Sequence, residues 1–228
     1  MSALSPPLSE PVPAEPLRIV SRWLEDAREA RQQPNPNAMV LATTSADGAP
    51  SARVVLCKGL VVDPGYLVFY TNYESKKGED LAASERAAAV MHWDYLHRQV
   101  RITGPVTRSP PAESDAYFAS RPWPSRIAAW ASAQSRPIAS RADLVAAVAA
   151  AARRFGTPNP ADPPPDGVDF SVARPPHWGG YRLWAESVEL WQEGKSRIHD
   201  RFFWKRKLVA GAAQGFTSGS WSVARLQP

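Results

Sequence analysis

Three strand-like segments follow one another between residues 38 and 71, and they restrict the possible folds more than any other feature of the chain. Short turns containing glycine or proline separate these segments, which are rich in residues that favour strands. The segments are Ala38 to Thr44, Pro50 to Lys58 and Tyr66 to Thr71, with turns at Asp47-Gly48 and Pro64-Gly65. Consecutive strands joined by tight turns pair in antiparallel fashion. The sequence therefore predicts an antiparallel sheet or barrel.

The rest of the chain adds helices around further strands. Apolar spacing and capping residues predict helices that begin at Pro16 and Ser75, span Pro111 to Ser120 and Arg126 to Ala133, and follow Ser140. Strands are expected at Ala87 to Trp93, at Gln99 to Thr107 with a bend at Gly104-Pro105, from Trp178 onward, and at Trp221 to Leu226. Residues 1–15 are rich in proline and serine and are expected to form a disordered tail without core contacts. Residues 16–228 are predicted to form a single domain, with loops at 157–167 and 211–219.

Charge and composition narrow the classes of partner and compartment. The 228 residues carry a formal net charge of +5, which favours anionic ligands. The densest basic run, Lys205-Arg206-Lys207, is shorter than a typical nucleic-acid-binding tract, so we expect no nucleic-acid partner. Nine tryptophans indicate aromatic walls or a dimer seam in addition to a core. The single cysteine, Cys57, excludes an internal disulfide. With no signal-peptide pattern and no apolar run of transmembrane length, we expect a cytoplasmic protein without membrane association.

A basic stripe is predicted near the C-terminus. Two apolar runs flank Glu193-Gly194 and predict a hairpin, with Ser187 to Gln192 as one strand and Arg197 to Trp204 as the other. Alternation along the second strand would place Arg197, His199 and Arg201 on one face, with Ile198 and Phe202 anchored in the core on the other. Such a stripe would bind an anion beside a group that titrates near neutral pH. On periodicity alone, a solvated edge strand explains the same charges.

Two other basic motifs are weaker signals by themselves. Arg53 and Lys58 fall on opposite faces of one predicted strand and could contact phosphate or simply reach solvent. Ser75-Lys76-Lys77 at a helix start combines free backbone N–H groups with two cations, which suits a phosphate as well as an exposed turn. Common nucleotide and zinc motifs are absent, and the four histidines have no ligand spacing, so no metal is predicted.

At these motifs the chain resembles the pyridoxamine 5′-phosphate oxidase family of flavin enzymes. The resemblance runs in order from about Leu17 to the C-terminus. It rests on Arg53-Val-Val-Leu-Cys-Lys58, Phe69-Tyr-Thr-Asn72, Ser75-Lys-Lys77, Arg98-Gln-Val100, Tyr117-Phe-x-Ser-Arg121-Pro-x-x-Ser125, Gln134-Ser135, Trp178-Gly-Gly-Tyr181, Trp191-Gln192, Arg197-Ile-His-Asp-Arg201 and Arg225-Leu-Gln-Pro228. It implies a mainly β fold with peripheral helices (α+β), an antiparallel split β-barrel of Greek-key type that binds FMN at the interface of a homodimer.

The resemblance also implies roles for individual residues. The implied FMN contacts are Arg53, Val54, Val55, Leu56, Cys57, Lys58, Tyr70, Thr71, Ser75, Lys76, Lys77, Gln99, Gln134, Ser135, Trp191 and Arg201. The phosphate of a small phosphorylated pyridine substrate would meet Lys58, Tyr117, Arg121 and Ser125, while Arg197 and His199 would act catalytically over its ring. In the family, a hydride leaves the substrate C4′ for the flavin and molecular oxygen reoxidises the flavin, which gives peroxide.

Departures from the family pattern leave other functions open. Trp123 and Pro124 stand where the family commonly has polar residues, and Arg126 and Ala128 replace a usual Gln and Gly. We expect the Trp123-Pro124 pair to affect the substrate pocket more than flavin binding. The alternatives are a flavin oxidase of the same fold acting on another ring, such as a phenazine precursor, and a flavin-binding module without turnover or a basic protein that binds nucleic acid. Retention of Lys58 and of the Arg197–His199 pair favours the vitamin B6 substrate.

Overall fold

The computed structural model describes residues 8, 11–160, 162, 167–211 and 215–228. In this described part, five α-helices surround the strands: α1 (Pro16–Ala30), α2 (Lys76–Ser84), α3 (Pro111–Ala119), α4 (Trp123–Ala131) and α5 (Arg141–Arg154). The strands are β1 (Ala38–Thr44), β2 (Pro50–Leu56), β3 (Gly59–Val61), β4 (Tyr66–Asn72), β5 (Arg86–Trp93), β6 (Arg98–Arg108), β7 (Trp178–Trp184), β8 (Ser187–Gln192), β9 (Asp200–Lys205), β10 (Leu208–Ala210), β11 (Phe216–Ser218) and β12 (Ser222–Arg225). The predicted mainly β fold with peripheral helices is confirmed.

Ten of the described strands form an antiparallel sheet that curls into a split barrel, and β10 and β11 pair in a separate two-stranded sheet. The main path of the large sheet runs in the order β12-β9-β8-β6-β5-β1-β2, while β7 pairs with both β6 and β4, and β3 pairs with β4. The backbone N–H of Lys58 donates to Val68 O at 2.8 Å and joins the end of β2 to β4. The barrel therefore closes through β1, β2, β4, β7, β6 and β5, and β8, β9 and β12 extend the sheet away from it.

Strand β6 belongs to both parts of this architecture. Its first half pairs with β8 as far as Thr103, and its last residues pair with β7 from Val106 onward. The strand changes partner at Gly104-Pro105, where the sequence predicted a bend. A Cβ at position 104 would lie 1.8 Å from Trp184 O, so only glycine allows the backbone of β7 to approach this closely.

The extended sheet has an apolar inner face and a partly exposed outer face. On the inner face, one row of paired residues (Leu41, Ala89, Ile102, Val188 and Trp204) is almost completely buried. The matching outer row consists of Val54, Val40, Val90, Arg101 and Glu189. Val54 remains 65% exposed and Val40 41% exposed. A row of exposed valines on the outer face of a sheet is typical of a surface that another protein chain covers.

A second, smaller core lies outside the barrel and supports helices α3, α4 and α5. Phe118, Trp123, Ile127 and Trp178 are its largest buried side chains. This core fixes the corner between α3 and α4, which contributes one wall of the candidate site. Among the described residues, none of the helices has both the length and the apolar composition needed to cross a bilayer.

The structure corrects several local predictions. Although residues 1–7, 9 and 10 lie outside the described part, the rest of the expected tail has core contacts: Leu8 and Val12 pack on the barrel core, and Pro13 O accepts a hydrogen bond from Trp204 Nε1 at 3.0 Å. The loop expected at 211–219 contains β11, and its residues 212–214 lie outside the description. Five residues of the loop predicted at 157–167 also lie outside it. The assignment of residues 16–228 to one domain stays a prediction.

Candidate functional site

A cleft of about 510 Å³ opens between the end of β2, strand β4 and the α3–α4 corner. We call it the basic cleft. Eleven of the residues implicated by the family resemblance line it: Val54, Val55, Leu56, Lys58, Tyr70, Thr71, Lys77, Tyr117, Arg121, Ser125 and Gln134. Lys58 lies in the connection after β2 rather than in the strand. Asn72, Pro122 and Trp178 complete the lining.

Lys77 is the buried cation at one side of the basic cleft. Its ammonium donates to Thr71 Oγ1 at 3.1 Å, Ser75 Oγ at 3.0 Å and Gln134 Oε1 at 2.7 Å. All three acceptors are uncharged, and no carboxylate of the described chain pairs with Lys77. Burial, followed by repulsion from Arg53, lowers the pKa of Lys77 to about 8. A buried ammonium without a counterion is a suitable partner for the phosphate of a ligand.

The neighbours of Lys77 in the Ser75-Lys76-Lys77 motif have different tasks. Ser75 caps helix α2, accepting from Gly78 N at 3.4 Å and donating to Asn72 O at 2.7 Å, and it is fully buried. Lys76 points away and pairs with Asp80 at 2.5 Å. Only the third residue of the motif lines the cleft, because successive residues of a helical turn point in different directions.

Arg53 lies beside the cleft with its guanidinium engaged by the protein. It donates to Thr43 Oγ1 at 2.5 Å and to Ser51 Oγ at 2.6 Å, and it lies 3.7 Å from the buried Asp80 carboxylate. Burial lowers the pKa of Arg53, although Asp80 opposes this. Cys57 is buried with its Sγ 3.2 Å from Gly59 O, and burial raises the pKa of this thiol to about 11. Neither Arg53 nor Cys57 lines the basic cleft, and neither does the exposed Ser135, which has a positive φ of 71°.

The opposite wall of the cleft combines an aromatic stack with a free guanidinium. The rings of Tyr70 and Tyr117 stack with their centroids 3.9 Å apart, and Trp178 stacks on Tyr70 at 5.6 Å. Arg121 lies over Trp178, 4.8 Å from the ring centroid. Its NH1 atom is buried and has no hydrogen-bond partner among the described residues, and burial lowers its pKa. A half-buried guanidinium with an unpaired NH1 group in a cleft suits an oxyanion, which it can bind through two N–H groups.

Trp123, the most conspicuous departure from the family pattern, does not line the basic cleft. Its side chain is 5% exposed and packs edge-to-face on Phe170, with centroids 5.1 Å apart. Arg126, the next departure, is buried and pairs with Asp169. Both side chains therefore support the α3–α4 corner from behind, and the expected effect of Trp123 on the pocket lining is not seen.

A second group of implicated residues lies on the outer face of the extended sheet. Gln99 on β6, Trp191 on β8 and Arg201 on β9 are direct cross-strand neighbours. Arg201 donates from Nε and NH2 to Glu189 Oε1, at 3.1 and 2.7 Å. In strand order, β9 is five steps from β2, which is roughly 24 Å along the sheet at ~4.8 Å per strand. None of these residues lines the basic cleft.

The prediction that Arg197, His199 and Arg201 share one face of a strand is wrong. Strand β9 begins at Asp200, and residues 195–197 form a 3₁₀ turn. Ser196 and Arg197 have positive φ angles of 57° and 66°, which interrupt the alternation of an extended strand. Ile198, expected in the core, is 75% exposed, whereas Phe202 is buried as predicted.

His199, just after the turn, nevertheless lies close to the second group. His199 Nδ1 accepts from Gly194 N at 3.1 Å, and the ring lies 4.9 Å from Trp191, centroid to centroid. Arg197 is exposed. Most of the implicated residues thus form two groups in one chain, the basic cleft and an outer-face group of Gln99, Trp191, His199 and Arg201, and Arg197 lies in the exposed turn before β9.

Sequence reasoning missed two side chains that the structure brings to these groups. Trp178 stacks on Tyr70 and lies under Arg121. Its place in the family motif Trp178-Gly-Gly-Tyr181 is the sequence signal that could have indicated this role. Glu189, which binds Arg201, gave no signal because an acidic residue in a strand is usually solvated. Within the described residues, no group of three His, Cys, Asp or Glu side chains could hold a metal ion.

Comparisons with known proteins agree over nearly the whole chain. A family model described as pyridoxamine 5′-phosphate oxidase matches residues 25–154, and one described as pyridoxine 5′-phosphate oxidase C-terminal dimerisation region matches residues 178–228. The pyridoxine/pyridoxamine 5′-phosphate oxidase of Burkholderia lata is 49% identical over 214 residues, which cover 94% of this chain and 89% of the relative. That of Cupriavidus metallidurans is 45% identical over 228 residues, covering 100% and 94%.

Solved structures share the fold. PhzG from Burkholderia lata, in complex with tetrahydrophenazine-1-carboxylic acid, superposes with a TM-score of 0.80 at 28% identity, covering 100% of this chain and 99% of the other. A pyridoxamine 5′-phosphate oxidase-related, FMN-binding protein from Nostoc punctiforme superposes with a TM-score of 0.63 at 18% identity, covering 92% and 96%. The second likeness concerns the fold alone.

Proposed function

Since the chain belongs to the pyridoxamine 5′-phosphate oxidase family, we propose that it is an FMN-dependent oxidase that converts pyridoxine 5′-phosphate or pyridoxamine 5′-phosphate to pyridoxal 5′-phosphate. One observation carries this proposal: the buried Lys77 and the half-buried Arg121 have no carboxylate partner among the described residues, and both line one cleft. A protein keeps such groups unpaired where a ligand supplies the anion. Relatives of 45–49% identity with the same activity in their names support the choice of substrate.

The two cations suit two different phosphates. Lys77, near the N-terminus of α2, would hold the FMN phosphate together with Gln134, and Arg53 would support them from behind. Arg121, with Lys58, Tyr117 and Ser125 on the same lining, would hold the substrate phosphate. Two phosphorylated ligands explain why cations gather at several short motifs instead of along one nucleic-acid track.

A homodimer would complete the site. The C-terminal region matches the dimerisation region of the family, and the exposed Val40 and Val54 lie on the same outer face as the second group. Because the outer-face group and the basic cleft are far apart in one chain, we propose that the outer-face group of one protomer closes the basic cleft of its partner. Each of the two equivalent FMN sites would then contain residues of both protomers.

The chemistry would be divided between cofactor and protein. FMN, when bound, would supply the redox chemistry, as acceptor of a hydride from the substrate C4′ whose two electrons, with two protons, end on molecular oxygen as hydrogen peroxide. Tyr117, Lys58 and Arg121 would fix the substrate by its phosphate, so that C4′ is held in place for transfer. Arg197 would lie over the pyridine ring, and His199 would orient the polar groups of the substrate. A cytoplasmic location, which suits a family acting on soluble metabolites, is part of the same proposal.

The deciding experiment measures product from the named substrates. Purified protein loaded with FMN is incubated in air with pyridoxine 5′-phosphate or unphosphorylated pyridoxine, and the pyridoxal 5′-phosphate and peroxide formed are quantified. We expect product in equal amounts to peroxide from the phosphorylated substrate alone. Equal turnover of unphosphorylated pyridoxine would refute the phosphate subsite, and protein that binds no FMN would refute the whole proposal.

The TM-score of 0.80 with PhzG supports one alternative, an oxidase of a reduced phenazine carboxylic acid. The lower identity of that protein, 28% against 49%, makes it the second choice. Turnover of a dihydro- or tetrahydrophenazine carboxylic acid in the same assay, with none of a vitamin B6 phosphate, would reverse the order.

A further inference from the structure

Glu189 is a buried carboxylate on the outer face that the proposed function leaves unused. Its side chain is 6% exposed. Oε1 accepts the two hydrogen bonds from Arg201, and Oε2 lies 3.0 Å from Arg101 NH1. These three side chains, from the neighbouring strands β6, β8 and β9, are called here the arginine–glutamate cluster. A buried carboxylate is costly unless its partners are well placed, and here both partners are guanidiniums.

The cluster fixes the orientation of Arg201. A guanidinium has five N–H donors. Arg201 uses Nε and one N–H of NH2 on Glu189, and one N–H of NH1 on Gln227 O at 2.9 Å. Its backbone carbonyl also accepts from Leu226 N at 2.8 Å. Two bonds to Glu189 Oε1 on one side and one to Gln227 O on another hold the plane of the group and leave two N–H donors for another acceptor.

Arg101, the third member of the cluster, gives the cluster a net positive charge. Arg201 and Glu189 alone would be neutral, and a neutral pair attracts an anion weakly. Arg101, which is 48% exposed, adds a second positive charge, so the cluster carries two cations and one carboxylate. Glu189 can therefore orient Arg201 without removing the positive charge from this part of the outer face.

We propose that Glu189 is a positioning residue for FMN binding, which acts by holding Arg201, and that Arg101 keeps the cluster positive toward the anionic cofactor. This inference rests on the proposed function, in which Arg201 contacts FMN. It adds two residues that the family resemblance did not implicate.

A double-mutant cycle tests the positioning role. The dissociation constant of FMN is measured by flavin fluorescence for apoprotein at one protomer concentration, using wild type, Glu189→Gln, Arg201→Met and the double variant. Glu189→Gln is expected to raise Kd about tenfold, since it loses charge-assisted hydrogen bonds that orient Arg201. With Arg201→Met already present, Glu189→Gln should not raise Kd further, because no guanidinium remains to be positioned.

Arg101→Met tests the charge separately, and it keeps the proposal testable if Glu189→Gln does not fold. This exposed substitution leaves the Arg201–Glu189 pair intact. We expect the Kd of FMN to rise about threefold at low ionic strength, which is the contribution typical of one exposed charge. The effect should become smaller at high salt, because salt screens this charge. The matched control is Arg86→Met, which removes an exposed arginine at the start of β5 that pairs with Glu186. This substitution should leave the Kd of FMN unchanged.

The outcomes separate this inference from the proposed function. If wild type binds FMN but Arg201→Met or Glu189→Gln stays within about twofold of it, the positioning role is overturned while flavin binding stands. Equal effects of Glu189→Gln in both backgrounds would show a structural role and would also overturn it. If Arg101→Met behaves like Arg86→Met, the charge contribution is overturned. Wild-type protein that binds no FMN overturns the proposed function itself.

Discussion

Replacing Lys77 with methionine should stabilise the apoprotein against unfolding and weaken its binding of FMN. The pKa of Lys77 falls from 10.5 to about 8, first because of burial and then because of Arg53. Each pKa unit corresponds to about 1.36 kcal/mol, so holding this ammonium charged at neutral pH costs about 3 kcal/mol. Methionine is similar in length and carries no charge. The lost hydrogen bonds offset part of the gain, so we expect Lys77→Met to raise the free energy of unfolding of the apoprotein by about 1–3 kcal/mol.

The same substitution should weaken FMN binding. Lys77 would provide a charge-assisted contact to the cofactor phosphate, and its removal is expected to raise the dissociation constant of FMN about tenfold or more. The stabilisation that a fixed FMN concentration adds to the folded state then falls accordingly. Stability and cofactor affinity should therefore change in opposite directions.

The assay combines urea unfolding of apoprotein with fluorescence titration of FMN. The difference between variant and wild type should narrow as the pH rises from about 8 toward 10.5. In that window the unfolded lysine is still protonated while the folded one has lost its proton. The unfolded state thus binds more protons, and wild-type stability increases with pH relative to the variant. Measurements at several pH values from 7 to 9 would reveal the trend.

Lys76→Met is the matched comparison, because it changes the adjacent lysine of the same motif. Lys76 is 51% exposed and paired with Asp80, so its loss should destabilise the apoprotein by less than about 1 kcal/mol. The reasoning about Lys77 would be refuted if Lys77→Met also destabilised the apoprotein and retained wild-type FMN affinity. Lys77 would then be a structural donor to its three neutral oxygen partners.

Four further outcomes are expected. Arg121→Ala should raise KM for the phosphorylated substrate about tenfold or more, since a half-buried guanidinium that would bind its phosphate is lost, with FMN affinity unchanged in the same titration. Arg197→Met should keep FMN but slow anaerobic reduction of the flavin in stopped flow, and a wild-type rate would contradict its catalytic role. Deleting residues 1–15 should lower Tm by about 4 °C in calorimetry, because Trp204 Nε1 loses its acceptor Pro13 O; an unchanged Tm would show that water replaces the contact. Light scattering of holoprotein should give twice the protomer mass of 25.0 kDa, and a monomer would contradict the shared site.

The sequence predicted the barrel because its signals there are local. The turns at Asp47-Gly48 and Pro64-Gly65 fix the pairing of the strands on either side, and Gly104-Pro105 marks the point where β6 changes partners. Local signals failed at Ser196 and Arg197, where two residues without the freedom of glycine adopt positive φ angles. The residue types give no signal for such a turn. The alternation of side chains predicted for a strand from Arg197 to Trp204 therefore includes residues that are not in the strand.

The candidate site could be predicted in composition but not in arrangement. Eleven implicated residues line the basic cleft, yet Lys76, Arg53 and Ser75 turn out to be paired or to cap a helix. Which lysine of a Ser-Lys-Lys motif faces a cleft depends on where its helix packs, and that is tertiary information. The contact between Arg201 and Glu189 depends on the register of β8 against β9, which the sequence did not specify.

The two roles of strand β6 affect how the chain can fold. Its first partner, β5, is adjacent in sequence. Its other partners are β7 and β8, since Val106 pairs with Leu183 and Ile102 with Val188. These two pairings can form only after a much longer stretch of chain has been made. Until β7 and β8 arrive, one edge of β6 has unpaired N–H and C=O groups that invite association with other chains. Closing so long a loop has an entropic cost that grows slowly with length, so the insertion of α3 to α5 between the pairing strands is tolerated. The two regions matched by family models, 25–154 and 178–228, thus meet within a single sheet, and a nascent chain that stops after the first leaves its barrel open.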